Sequence, residues 1–179
     1  MARDLSALDR LTALVPPPDA PLFGTRDWDA IFTELGLVLP PDFVAFAERY
    51  GSSSFARWLA VSDPRGWSPE VITGVSEWMD FYRDLREDSP EDYTLGMWPE
   101  PGGFFLWGST IDGDHLGWMT SGDPEQWPVM LIKHEAENGE LHAETMTEWL
   151  AGWAAGARFD GSGFARREAG HPLVCERLE

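Results

Sequence analysis

The sequence predicts an α+β domain in which helices pack on an antiparallel β-meander. Three observations favour this class: apolar residues follow helical spacing before residue 87, short β-rich runs separated by turn pairs fill residues 104–143, and helical spacing returns near residue 149. The chain has 179 residues, of which 43% are hydrophobic, so it can bury a real core. One domain is the default for this length.

Five helices are predicted from apolar residues at helical spacing. They cover residues 4–15, 28–35, 43–50, 70–86 and a last stretch that begins near residue 146. Thr25 is a candidate N-cap of the second helix, while Gly36 and Gly51 stand where helix C-termini favour glycine. Thr145 and Glu148 have the spacing of a capping box, which indicates where the last helix begins.

Strands are predicted where β-rich runs alternate with turn residues. A first strand is expected over residues 55–61, and further strands over residues 104–109, 115–120, 127–134 and 140–143. Asp-Gly and Asn-Gly pairs between the later strands favour consecutive hairpins, which together make an antiparallel meander. A two-residue turn at Asn138-Gly139 predicts a register that places Glu135 opposite His142.

The predicted domain covers residues 25–157, with a lead-in segment over residues 1–24 and a C-terminal tail over residues 158–179. Three glycines after residue 160 indicate a loosely held tail. Short helices persist only when one face is packed, so the apolar stripes predict a shared core. Its predicted members are Trp28, Phe32, Phe43, Phe46, Trp149 and Trp153.

The charge balance restricts the partners of this chain. Thirteen basic and 31 acidic residues give a formal net charge of −18, a field that repels phosphate backbones and anionic lipids. We therefore expect neither nucleic acid nor membrane as a partner. The excess is concentrated in residues 77–148, which hold 17 acidic and three basic side chains. A solvated face is the ordinary explanation, but such a surface also suits a basic protein.

The cysteine count and the N-terminus point to a reducing compartment. Cys175 is the one cysteine, so no internal disulfide forms, and no Cys/His spacing indicates zinc. Charged residues at Arg3, Asp4 and Asp9 interrupt the region where a signal peptide needs apolar residues. No apolar run approaches the roughly 18 residues of a membrane span. We expect a cytoplasmic protein.

No motif predicts an enzyme. Asp112, Asp114 and His115 have side chains that can bind metals, but Asp-Gly is a common hairpin turn and the EF-hand pattern is absent. Glu135 and His142 resemble an acid–base pair, yet no nucleophile motif accompanies them, and an exposed ion pair is favoured. A hydrolase that uses Asp112, Asp114 or His142 is a remote alternative. We expect no catalytic residue, cofactor or metal.

Two sequence blocks resemble a known superfamily. Residues 28–51 read WDAIFTELGLVLPPDFVAFAERYG, and residues 106–129 read LWGSTIDGDHLGWMTSGDPEQWPV. The first block joins two helices through LG and LPxDF and ends in YG. The second places a Trp-Gly pair before a GD hairpin and a tryptophan-bearing strand. In this order the blocks resemble the SUKH superfamily of SMI/KNR-like immunity domains.

The resemblance implies an α+β domain that in bacteria usually neutralises a polymorphic toxin, commonly a nuclease or a deaminase. Fungal relatives act as interaction proteins in cell-wall signalling, and no family catalytic residue exists to carry over. The leading hypothesis is therefore an immunity protein that binds a cognate toxin with a basic surface. The alternative is a non-catalytic adaptor or regulator that makes weaker protein contacts.

The partner-binding residues predicted from the sequence are acidic side chains expected to face solvent, together with one loop tryptophan. They are Asp80, Asp84, Glu87, Asp88, Glu91, Asp92, Trp98, Asp112, Asp114, Asp123 and Glu125. Exposed charges speed the encounter of two proteins, whereas a buried aromatic anchor slows their separation. Trp67 is a second loop tryptophan with the same potential.

Overall fold

The computed structural model describes residues 5–156 and 173–178. Five α-helices lie in these residues: α1 (Leu5–Leu14), α2 (Trp28–Leu35), α3 (Pro41–Tyr50), α4 (Pro69–Asp88) and α5 (Met146–Ala154). The strands are β1 (Ser53–Phe55), β2 (Leu59–Val61), β3 (Phe104–Thr110), β4 (His115–Met119), β5 (Val129–Ile132), β6 (Glu140–His142) and β7 (Cys175–Arg177).

The strands form one seven-stranded sheet in the order β6-β5-β4-β3-β2-β1-β7. Every neighbouring pair is antiparallel. The predicted α+β class with an antiparallel meander is confirmed. β7 lies in the stretch that the sequence analysis assigned to the tail, and it pairs with β1 as an edge strand.

Helices cover both faces of the sheet because strand side chains alternate between them. In β3, Phe105 and Trp107 join the larger apolar cluster, which also holds the buried residues of α1, α3 and α5. Phe104 and Leu106 point to the other face, where they meet the buried side of α4. The strands at the middle of the sheet are therefore apolar on both sides.

Most of the predicted core is buried. Phe43, Phe46, Trp149 and Trp153 are at most 2% exposed, whereas Trp28 and Phe32 of α2 are partly buried and pack against the cluster. α1, which lies within the lead-in segment, packs against α5 and α3. Its residues Leu8 and Leu11, and Val15 directly after it, belong to the same core.

Two predictions about the strands are wrong. Residues 55–61 form a hairpin rather than one strand, because Ala56 and Arg57 adopt left-handed φ values of 55° and 54° between β1 and β2. The Asn138-Gly139 turn spans more than two residues, since Leu131 pairs with Glu140. The Asn138 amide instead bonds Thr94 and Asp92. Glu135 consequently does not face His142, which pairs with Val129.

The helix ends follow the predicted chemistry with one exception. Gly36 is left-handed at the end of α2, and the capping box between Thr145 and Glu148 is present at the start of α5. The N-cap of α2 is Asp27 rather than Thr25, and its side chain makes no capping hydrogen bond.

Candidate functional site

The outward side of α4 and the turn that follows it carry six of the eleven predicted partner-binding residues. α4 buries Met79 and Tyr82 against the sheet, so the opposite positions of the helix face water. Six of the predicted acidic residues, here called the acidic face, are exposed along this side and in the turn that follows, and Glu77 is exposed on the same side. The six are Asp80, Asp84, Glu87, Asp88, Glu91 and Asp92.

The two arginines of this part of α4, Arg83 and Arg86, contact mainly the loop over residues 95–100, and of the acidic face they pair with Asp80 alone among the contacts that the structure describes. Arg86 donates to the Leu95 carbonyl at 2.9 Å and pairs with Glu100 at 2.9 Å. This hydrogen bond from Arg86 lowers the pKa of the Glu100 carboxyl below its usual value. Arg83 donates to the Trp98 carbonyl and also pairs with Asp80. Both cations therefore fix the loop over residues 95–100, and most carboxylates of the acidic face keep their field toward solvent.

Trp98 is held within the fold more firmly than a loop position suggests. Its ring packs edge-on against Phe105, with the centroids 5.4 Å apart, and it touches both apolar clusters. The side chain is partly buried. Trp67 is likewise partly buried and packs against the larger cluster. Both tryptophans have packing roles, and neither projects fully into solvent.

Asp112 and Asp114 occupy the β3–β4 turn and differ in role. Asp114 is only 8% exposed, and its carboxylate accepts hydrogen bonds from the Thr110 hydroxyl and the His134 backbone N–H, each at 3.0 Å. Its carboxylate therefore closes the turn and has little surface exposed to solvent. Asp112 is exposed and accepts a hydrogen bond from the Trp58 indole at 2.6 Å.

Asp123 and Glu125 are exposed in the connection between β4 and β5. This connection lies at the opposite end of β4 from the turn that holds Asp112. The Asp123 carboxylate accepts from the Glu125 backbone N–H at 3.0 Å and caps a short 3₁₀ turn. The predicted residues thus divide into the acidic face, two sheet-end loops, the packed Trp98 and the buried Asp114.

An exposed aromatic side chain that the sequence analysis did not select lies beside the acidic face. Phe81 is 58% exposed, although phenylalanine normally prefers the interior. It lies outside the buried stripe of α4 that contains Met79 and Tyr82. A helical projection of residues 77–88 places it at the edge of the acidic positions, so this signal was present in the sequence.

Among the histidines that the structure describes, His115 has a pKa that burial shifts clearly. Its imidazole lies against Trp78, with ring centroids 4.0 Å apart, and burial lowers its pKa to about 4 despite the neighbouring Asp114. Within residues 5–156 and 173–178, no three His, Cys, Asp or Glu side chains are grouped to hold a metal ion. The arrangement stabilises neutral histidine beside a tryptophan.

A low pH should therefore destabilise the fold through His115. Folded His115 stays neutral down to about pH 4, whereas in the unfolded chain its imidazole binds a proton near the ordinary histidine pKa of 6.5. Stability attributable to this group is present above pH 6.5 and falls as the pH drops toward 4, by on the order of 2 kcal/mol. Urea denaturation at several pH values should show that the free energy of unfolding falls less between pH 7 and 4 for His115→Gln than for the wild type.

The matched control for this prediction is His134→Gln, because His134 is exposed in the same region of the fold. The pH dependence of its stability should lie close to that of the wild type, because the charge of His134 is the smallest of the three contributions to the pKa of His115. Equal losses for wild type and His115→Gln between pH 7 and 4 would contradict the prediction.

The fold is that of an α+β protein: an antiparallel seven-stranded sheet carries helices on both faces, and the helix on one of these faces, α4, is acidic on its outer side. The SUKH_6 family model, described as SMI1-KNR4 cell-wall, matches residues 26–150, more than two thirds of the chain. The chain belongs to this family and thus to the SUKH superfamily. A comparison with curated proteins gives no match. Among the described helices, none has the length and apolar character needed to cross a membrane.

Proposed function

We propose that this protein is an immunity protein that binds a cognate toxin and neutralises it by direct contact. Membership of the SUKH superfamily supports this function, because bacterial members commonly have it. The observation that carries the proposal is the acidic face, in which six carboxylates line the outer side of α4 and the next turn. Two oppositely charged surfaces attract each other over a Debye length of about 8 Å at physiological ionic strength.

A nuclease or deaminase that acts on nucleic acid is the class of toxin that fits this surface. Such an enzyme needs a cationic groove to hold a polyanionic substrate. An acidic protein can occupy the same groove and exclude the substrate without any chemistry of its own. The acidic face presents carboxylates in place of phosphates, and the packed sheet beneath α4 holds them on a rigid element.

Co-expression with the product of the neighbouring coding sequence tests this function. We expect a one-to-one complex with a Kd in the nanomolar range or tighter, and survival of cells that carry both proteins. An adaptor of the same fold would instead bind several proteins with micromolar Kd values. That outcome, with no protection from any toxin, would overturn the proposal in favour of the alternative.

Reversing three charges of the acidic face should slow association with the toxin. The variant Asp84→Lys, Glu87→Lys, Asp88→Lys changes exposed positions of α4, so its folding should match the wild type. Its association rate at low salt should fall on the order of tenfold or more, because long-range attraction acts before contact. Stopped-flow or surface-binding kinetics at several salt concentrations measures this rate. Salt should slow wild-type association much more than it speeds dissociation.

A second triple reversal provides the control, with the same change in net charge. Asp29, Glu34 and Glu48 are exposed on α2 and α3, which pack on the other face of the sheet. Converting these three residues to lysine should leave most of the association rate intact. If both triple variants bind equally fast, or if the complex ignores ionic strength, the acidic face serves solubility and the toxin binds elsewhere.

A further inference from the structure

Phe81 is an exposed aromatic side chain at the edge of the acidic face. The described residues include two exposed phenylalanines, and Phe81 at 58% is more exposed than Phe23 at 45%. Trp78 and Tyr82, at i−3 and i+1 from Phe81, pack toward the smaller apolar cluster, whereas Phe81 is not part of it. The exposed Phe81 ring therefore belongs to neither apolar cluster.

Carboxylates border this ring along one side of the helix surface, and the half-buried Trp78 and Leu85, at i−3 and i+4, border it along the other. Glu77, Asp84 and Asp88 stand at i−4, i+3 and i+7 from Phe81, which places them on the same side of α4. All three are exposed. An aromatic residue bordered by polar groups has the layout of a binding hot spot, in which the rim excludes water from the central contact.

We propose that Phe81 is the apolar anchor of the acidic face, and that it inserts into an apolar socket bordered by lysine or arginine on a partner protein. Charge complementarity selects this occupant. A second copy of this chain would bring like charges together, since each copy carries −18, and anionic lipids or nucleic acids are repelled in the same way. The inference deepens the proposed function and rests on it for the identity of the partner.

Substitutions of Phe81 and substitutions of the carboxylates should change different rate constants of the complex. Exposed carboxylates act mainly on the association rate, whereas a side chain buried in the complex acts mainly on the dissociation rate. Phe81 would thus supply the persistence of the complex that the acidic residues alone do not give. Trp98, the anchor expected from the sequence, is already packed against Phe105 and has less surface to offer.

Two cationic peptides test this inference with the full-length protein. The first is an amphipathic helical peptide with a leucine stripe flanked by lysines, and the second has the same composition in scrambled order. We expect the amphipathic peptide to bind the wild type about tenfold tighter than the scrambled one in fluorescence titrations. Phe81→Ser should remove this preference and leave the weak, salt-sensitive binding that both peptides share. Phe81→Leu should restore most of the preference.

The control variant is Val38→Ser, which removes an apolar side chain of similar exposure, 57%, from the loop between α2 and α3. It should bind both peptides as the wild type does. Equal affinity of wild type and Phe81→Ser for the amphipathic peptide would overturn the inference, as would equal affinity of the wild type for the two peptides. Thermal unfolding of each variant verifies that the fold is intact.

This experiment separates the inference from the proposed function. If a cognate toxin binds wild type and Phe81→Ser with the same dissociation rate, the assignment of Phe81 fails while the immunity function stands. If the peptides discriminate as expected but no toxin is bound or neutralised, the surface is correctly assigned and the immunity function fails.

Discussion

Asp63→Ala is expected to lower the free energy of unfolding by about 3–5 kcal/mol, because it removes one partner of a buried charged pair. The Asp63 side chain is fully buried and pairs with Arg65 at 2.8 Å, whose side chain is 14% exposed. The carboxylate also accepts the Gly24 backbone N–H at 2.8 Å and the Arg65 backbone N–H at 3.0 Å. Urea denaturation, with an unchanged m-value, measures the loss.

The size of this effect follows from how many elements meet at the pair. The Arg65 guanidinium lies over the Trp28 ring, 4.7 Å from its centroid, and donates to the Ala47 carbonyl at 3.4 Å. α2 and α3 are thereby both tied to the turn after β2. Without Asp63, the guanidinium loses its buried counter-ion and the Gly24 N–H loses its acceptor.

The chain contains its own control for this experiment. Asp63 caps the 3₁₀ turn Pro64–Gly66, and Asp123 caps a similar 3₁₀ turn, Pro124–Gln126. In both, a proline follows the aspartate directly and a tryptophan stands four residues after it. Asp123 is exposed, so Asp123→Ala should cost only about 1 kcal/mol, the contribution of a cap. Equal losses for the two variants would show that the buried pair contributes nothing beyond capping.

Phe46→Ala is expected to lower the free energy of unfolding by about 3–5 kcal/mol as well. Phe46 is 0% exposed and stacks on Tyr50, with ring centroids 4.7 Å apart. It also contacts Phe43 and Phe55, at 6.5 and 6.1 Å between centroids. Truncation leaves a cavity where α3 meets the sheet, and rigid rings cannot close around it.

Phe81→Ala makes the same chemical change at an exposed position and should cost less than about 0.5 kcal/mol. Chemical denaturation of both variants against the wild type measures the two losses. A loss under about 1 kcal/mol for Phe46→Ala would mean that the aromatic cluster repacks around the smaller side chain.

The fold class could be predicted because its signals are local. Helical spacing of apolar residues and turn pairs between β-rich runs depend only on neighbours in sequence, and they correctly indicated α3, α4 and the meander from β3 to β6. The capping box of α5 is similarly local. The two sequence blocks then indicated the family, which the match over residues 26–150 confirms.

The β5–β6 register could not be predicted from the Asn138-Gly139 pair alone. Turn preference assumes that the two residues serve the hairpin, but the Asn138 side chain bonds Asp92 and Thr94, more than forty residues earlier. Such a tertiary contact outweighs a small local preference. β7 was missed for a related reason, since a three-residue edge strand has too few residues to show a period.

Tertiary contacts also decide which of the predicted site residues are exposed and which are buried. The sequence by itself determined the charge of residues 77–148, the wet side of α4 and the family of the fold. Only the tertiary structure decided that Asp114 is buried and accepts hydrogen bonds from Thr110 and His134. It also decided that Trp98 packs on Phe105. Exposure on a helix follows from its own period, whereas exposure in a loop depends on which distant residues pack against it.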